Sequence, residues 1–149
     1  MRAEIAEALK TAIRAQDKKR TSTLRLINAA IQDRDIANRG LGKDQVSDDE
    51  ILQILTKMVK QREESAKAFE EGSRIELAEQ ERDEITIIRD FLPKQLGEEQ
   101  VLHACQQAVK ELGAEGLRDM GKCMNALKEK FPGQMDFSKA SGIVKTMLQ

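Results

Sequence analysis

The stretch SDDEILQILTKMVKQREESAKAFEEGSRIELAEQERDEITIIRDFLP (residues 47–93) decides the fold. Its apolar residues recur every three or four positions. Ile51, Leu55, Met58 and Val59, followed by Ala66 and Phe69, make one stripe, and Leu77, Ala78, Ile85, Ile88 and Leu92 make a second. That is the period of a helix with one buried face, and nothing in the stretch alternates as a strand would. Ser47 with Glu50, and Ser73 with Glu76, have the spacing of a capping box, in which a hydroxyl and a carboxylate each accept a free backbone N–H at a helix start. Gly72 ends the first stripe. Pro93 lacks an N–H and restricts the residue before it, so it ends the second. The stretch predicts a helical hairpin over 47–92 with a tight turn at Gly72.

On the N-terminal side, Ile5, Leu9, Ala12 and Ile13 predict a short helix ending near Asp17 to Lys19. Leu24, Ile27, Ala30 and Ile31 predict a second, ending before Gly40. RGLGKDQVS (39–47) has two glycines and no apolar period, so it reads as a mobile loop. On the C-terminal side, FLPKQLG (91–97) reads as a hinge. Beyond it three short stripes follow: Val101, Cys105, Ala108 and Leu112; then Met120, Met124, Leu127 and Phe131; then Phe137, Ala140, Val144 and Met147. Gly113 and Gly116 separate the first two, and Pro132-Gly133 the last two. The expectation is an all-α chain: an N-terminal multi-helix domain (1–95) containing the long hairpin, and a small C-terminal three-helix bundle (96–149). About 50 residues is near the lower limit for independent folding.

The composition narrows function. In 149 residues, 25 Lys and Arg meet 26 Asp and Glu, and 40% of residues are apolar. No run approaches the roughly 20 apolar residues of a membrane span, and no apolar signal core opens the chain, so a cytoplasmic protein without membrane contact is expected. The formal charge of −1 excludes coating nucleic acid by bulk charge, DNA included, but allows a local basic face. The only aromatics are four phenylalanines, too few for a base-stacking platform. Cys105 and Cys123 cannot make a disulfide framework, and with His103 they lack the close ligand pairs of a zinc site. Cys105 continues an apolar stripe and reads as core.

No phosphate loop, dinucleotide fingerprint or nucleophile elbow is present, so no catalytic residue, metal or cofactor is expected. The acidic cluster EQERDE (79–84) is interleaved with arginine on a helix and reads as a solvated face. Two basic features remain. Lys18, Lys19 and Arg20, with Arg25 after them, sit at the joint of the first two helices. They read either as cations complementing a helix C-terminus or as phosphate contacts. RDMGKCMNALKEK (118–130) places Arg118, Lys122, Lys128 and Lys130 around a helix, and Lys139 and Lys145 on the last helix extend that charge. Gly121 costs that helix up to about 1 kcal/mol relative to alanine, which suggests close approach of a neighbouring helix or of a nucleic-acid backbone.

The strings LRLINAAI (24–31), KQREESAKAFEEGSRIEL (60–77), ERDEITIIRDFLPKQL (81–96) and RDMGKCM (118–124), in that order, resemble the GatB/YqeY family over nearly the whole chain. Ser73 and Glu76 depart from a Gly-Arg-x-Asp-Leu pattern, Phe91 replaces a usual tyrosine, and Gly97 stands where a capping serine or threonine is common. The resemblance implies a two-part helical protein related to the tail of the B subunit of the aspartyl/glutamyl-tRNA amidotransferase, where the tail is thought to contact tRNA while other domains do the chemistry. It thus implies a tRNA-binding or amidotransferase-associated module, with tRNA or a tRNA-modifying enzyme complex as partner. The alternative it carries is carbon–nitrogen ligase activity with glutamine as amido donor.

Overall fold

In the computed structural model, which describes Met1–Gln149, the chain forms seven α-helices and one 3-10 turn, with no strand. It divides into two units, Met1–Leu92 and Pro93–Gln149. The first holds α1 (Arg2–Arg14), α2 (Lys18–Gly40), α3 (Asp48–Glu71) and α4 (Ile75–Arg89). The second holds α5 (Glu98–Glu111), the 3-10 turn Leu117–Asp119, α6 (Met120–Lys130) and α7 (Phe137–Leu148).

In the first unit α3 and α4 form the long hairpin, α2 packs against both, and α1 covers α2. The apolar stripes meet in one core, where Ile5, Leu24, Ile27, Ile31, Ile51, Leu55 and Ile88 are all but excluded from solvent. Each such side chain contributes about 1.5–3 kcal/mol on burial. Around this core runs a lattice of ion pairs between helices. Lys19 meets Asp83 (2.8 Å), Arg20 meets Asp90 (2.9 Å), Arg62 meets Glu84 (2.8 Å), Arg89 meets Glu63 (2.7 Å), and Arg82 meets Glu70. The cluster at 79–84 is therefore not simply a solvated face: Asp83 pairs with α2, and Glu84 and Arg82 pair with α3.

Three local expectations are corrected. Ser73 does not cap α4. It lies at φ +60°, and its N–H donates to Glu70 O while that of Arg74 donates to Phe69 O. This is a Schellman closure of α3, and α4 follows with Arg74 at its N-cap position and no side-chain cap. Gly72 itself has φ −84°, a conformation open to any residue. Second, α1 stops at Arg14, short of the end expected near Asp17 to Lys19, and Ile13 is half exposed. Third, the 39–47 segment is anchored. Val46 is buried and donates its N–H to Asp35 Oδ1 (2.9 Å), and Asp35 is held by both guanidinium nitrogens of Arg2. Ser47 does cap α3 by accepting from Glu50 N, but the Glu50 carboxylate also reaches across to Asn38 and Arg34.

The second unit has its own core of Ala104, Cys105, Cys123, Leu127, Met135, Ala140, Val144 and Leu148. Here α5, α6 and α7 each touch the other two. At the start of α5 the Gln100 side chain accepts the Gly97 N–H, the half of a capping box that needs no side chain at position 97. Asp136 caps α7 through Ser138 N.

Candidate nucleic-acid interface

The basic residues of the second unit are displayed by two short helices whose inner faces are fixed by the core. On α6, Cys123 and Leu127 point inward, with Met120, Met124 and Phe131 partly covered. At 3.6 residues per turn this puts Lys122 and Lys128 on the outer face, about 120° apart, with Gly121, Asn125 and Glu129 between them. All five are exposed. On α7, Ala140, Val144 and Leu148 point inward. Lys139 and Lys145 then flank Gly142 at the same spacing, and again all three are exposed. Each helix thus presents two lysines on either side of a glycine.

The expectation that a neighbouring helix approaches Gly121 is overturned: a Cβ added there would meet no atom within 4 Å, and the same holds for Gly142. Within the chain these positions face open space, so the two outer faces are low where the lysines rise. Arg118, in the 3-10 turn, is also exposed. Asp119 beside it is drawn into the backbone. Its carboxylate accepts the Glu115 N–H (3.1 Å) and that of Gly116, and these bonds, with Lys122 and Arg118 nearby, hold its pKa below the ordinary carboxylate value. Arg118, Lys122, Lys128, Lys139 and Lys145 take part in no ion pair, in contrast to the cations that stitch the hairpin.

Lys130 lies elsewhere. It stands on the α5 side of α6, its Nζ 5.8 Å from the Phe131 ring centre, at the rim of a groove between α5 and α6 of about 570 Å³. Leu96, Ala104, Ala108, Leu112 and Leu127 form that groove's apolar lining, and His103, Glu99 and Glu111 are among its polar residues. This groove was invisible to sequence reasoning because its two walls come from different helices.

Lys18, Lys19 and Arg20 occupy the first turn of α2, not the last turn of α1. The dipole disfavours cations there, so the helix C-terminal reading is corrected. What holds two of them is α4: Lys19 bonds Asp83, which raises its pKa, and Arg20 bonds Asp90 with its guanidinium 6.0 Å from the Phe91 ring centre. Lys18 has no such partner. Cys105 and Cys123 are buried free thiols, and burial raises the pKa of both. A thiol in that state is a poor nucleophile. No helix is long and apolar enough to cross a membrane.

Comparison with known proteins agrees with this architecture. A family model described as Yqey-like protein matches residues 2–148. The chain is 30% identical over 94 residues to the uncharacterized protein C22F3.15 of Schizosaccharomyces pombe, a match covering 63% of this chain and 73% of that one. It is also 30% identical over 90 residues to the Altered inheritance of mitochondria protein 41, mitochondrial, of Lachancea thermotolerans, covering 60% of this chain and 46% of that one. The chain therefore spans about half the length of the second relative. With a match that runs from the first turn of α1 to the end of α7, the chain belongs to the Yqey-like family, the family of the GatB tail-like domain.

Proposed function

We propose that the chain is a tRNA-binding helical module associated with tRNA amidation, which contributes recognition and leaves chemistry to a partner enzyme. The observation that carries this reading is the state of the cations in the second unit. Arg118, Lys122, Lys128, Lys139 and Lys145 are exposed and free of ion pairs, and the α6 and α7 lysines flank glycines that admit a close approach. Lysine and arginine arranged this way suit phosphates, and the near-neutral charge of the whole chain favours a shaped partner over general RNA affinity.

The test is a titration with bulk tRNA at low and moderate salt. Each phosphate contact removed lowers the salt slope by about one on a duplex. Lys122→Ala with Lys128→Ala is expected to weaken binding and flatten that dependence, with the helical content unchanged. Identical curves for parent and variant would move the RNA site off α6, and an absence of binding by both proteins would overturn the reading. The same preparation is expected to leave glutamine and ATP unhydrolysed, because its only histidine is exposed on α5 and both thiols lie in the core. Turnover abolished by a substitution in this chain would favour the ligase alternative.

A further inference from the structure

Helix α2 buries one apolar stripe and leaves Leu26, Ala29 and Ile36 exposed on its opposite side. Leu24, Ile27 and Ile31 enter the core. On the opposite side Ser22, Leu26, Ala29, Asp33, Ile36 and Gly40 recur at alternating spacings of four and three, the period of a helix–helix seam. All six are exposed, Leu26 by 44% and Ile36 by 64%. Alongside the seam a second row, Lys18, Arg25, Gln32 and Arg39, recurs every seven residues, and its three cations make no ion pair. At the N-terminal end, Ile13 of α1 and Leu26 border a depression of about 630 Å³, with Lys18 and Arg25 also lining it.

We propose that this face docks an amphipathic α-helix of a partner protein, with an apolar seam and a flanking row of Asp or Glu residues. The seam has room for a helix along some five turns of α2, the depression between Ile13 and Leu26 suits one large apolar anchor, and the Lys18–Arg25–Arg39 row selects acids at heptad spacing. An RNA backbone would use the cations but gain nothing from Leu26 and Ile36. A second copy of the chain fits poorly. Antiparallel pairing would lay the Arg25–Arg39 row against itself, and parallel pairing would stack Asp33 on Asp33. The proposal is independent of the lysines on α6 and α7.

The probe is a synthetic helix about three heptads long, with leucine along its seam and glutamate on both flanks, which keeps it monomeric by self-repulsion. A matched peptide with lysine flanks is the control. By fluorescence anisotropy the full chain is expected to bind the glutamate peptide about tenfold more tightly than the lysine peptide, with backbone NMR shifts confined to α2 and the end of α1. Leu26→Asp with Ile36→Asp should weaken it by about tenfold or more. These side chains are exposed, so the fold tolerates the change. Arg25→Glu with Arg39→Glu should reverse the preference toward the lysine peptide. Equal binding of both peptides, or shifts outside this face, would overturn the proposal. So would displacement of the peptide by bulk tRNA, which marks an RNA surface, or a chain dimer that Leu26→Asp dissociates.

Discussion

Ser73 bears a backbone conformation that suits glycine, one residue after a glycine that does not need it. A side chain at φ +60° costs roughly 1 kcal/mol, so Ser73→Gly is expected to stabilise the first unit by about 0.5–1 kcal/mol. Gly72→Ala is expected to be neutral or stabilising, since the new Cβ would sit 3.5 Å from Ala68 O in ordinary contact. Urea denaturation midpoints measure both, and a loss of stability in Ser73→Gly would contradict the closure described. Asp35 yields a second expectation. The Arg2 guanidinium and the Val46 N–H lower its pKa to about 2, against about 3.9 for a free aspartate. A carboxyl held low stabilises the fold while ionised, so its contribution is complete above about pH 4 and disappears as pH falls through about 2. Asp35→Asn should therefore be less stable than the parent at pH 6, with the gap closing between pH 4 and pH 2. Neither residue was legible in the sequence. Ser73 matched a capping box because its spacing to Glu76 carries no information about φ. Asp35 and Arg2 lie 33 positions apart and meet only once α1 covers α2.

At the scale of elements the sequence was a better guide. The α3–α4 hairpin, the three short C-terminal helices and the loop before Ser47 all follow from apolar period and breakers, because burial of one face dominates the energetics of a helix this long. Helix ends were less legible. Four of them, at Gln16, Gly42, Ser73 and Gly113, close with a positive φ, and two of those positions are not glycine. The candidate site was half legible. Helical spacing found the lysines of α6 and α7, but only the packed structure separates Lys130 from them and commits Lys19 and Arg20 to α4. Gly121 provides a test at this scale. It is an exposed position of α6 where an added Cβ meets nothing, so Gly121→Ala should stabilise α6 by up to about 1 kcal/mol. If a phosphate passes over that position, the same change should weaken tRNA binding. Greater stability with unchanged binding would leave the lysines as the only contacts on that face.

For the whole molecule, the two cores share no residue, and each unit is a separate answer to the problem of burying apolar surface. The smaller, Pro93–Gln149, has little margin. Leu127→Ala, at a side chain 1% exposed, should cost the second unit about 2–5 kcal/mol. Hydrogen exchange should then accelerate throughout α5, α6 and α7 while the amides of α3 and α4 keep their protection. Uniform acceleration across the chain would show that the units unfold together. Both cysteines of the chain belong to this smaller core, and the larger unit has none. A thiol reagent added to the native protein must wait for α5, α6 and α7 to part before it can react, so the labelling rate is a clock for that single event. The parent sequence, without any added dye or engineered site, reports in one chromatogram how often the smaller unit opens and whether a bound partner keeps it closed.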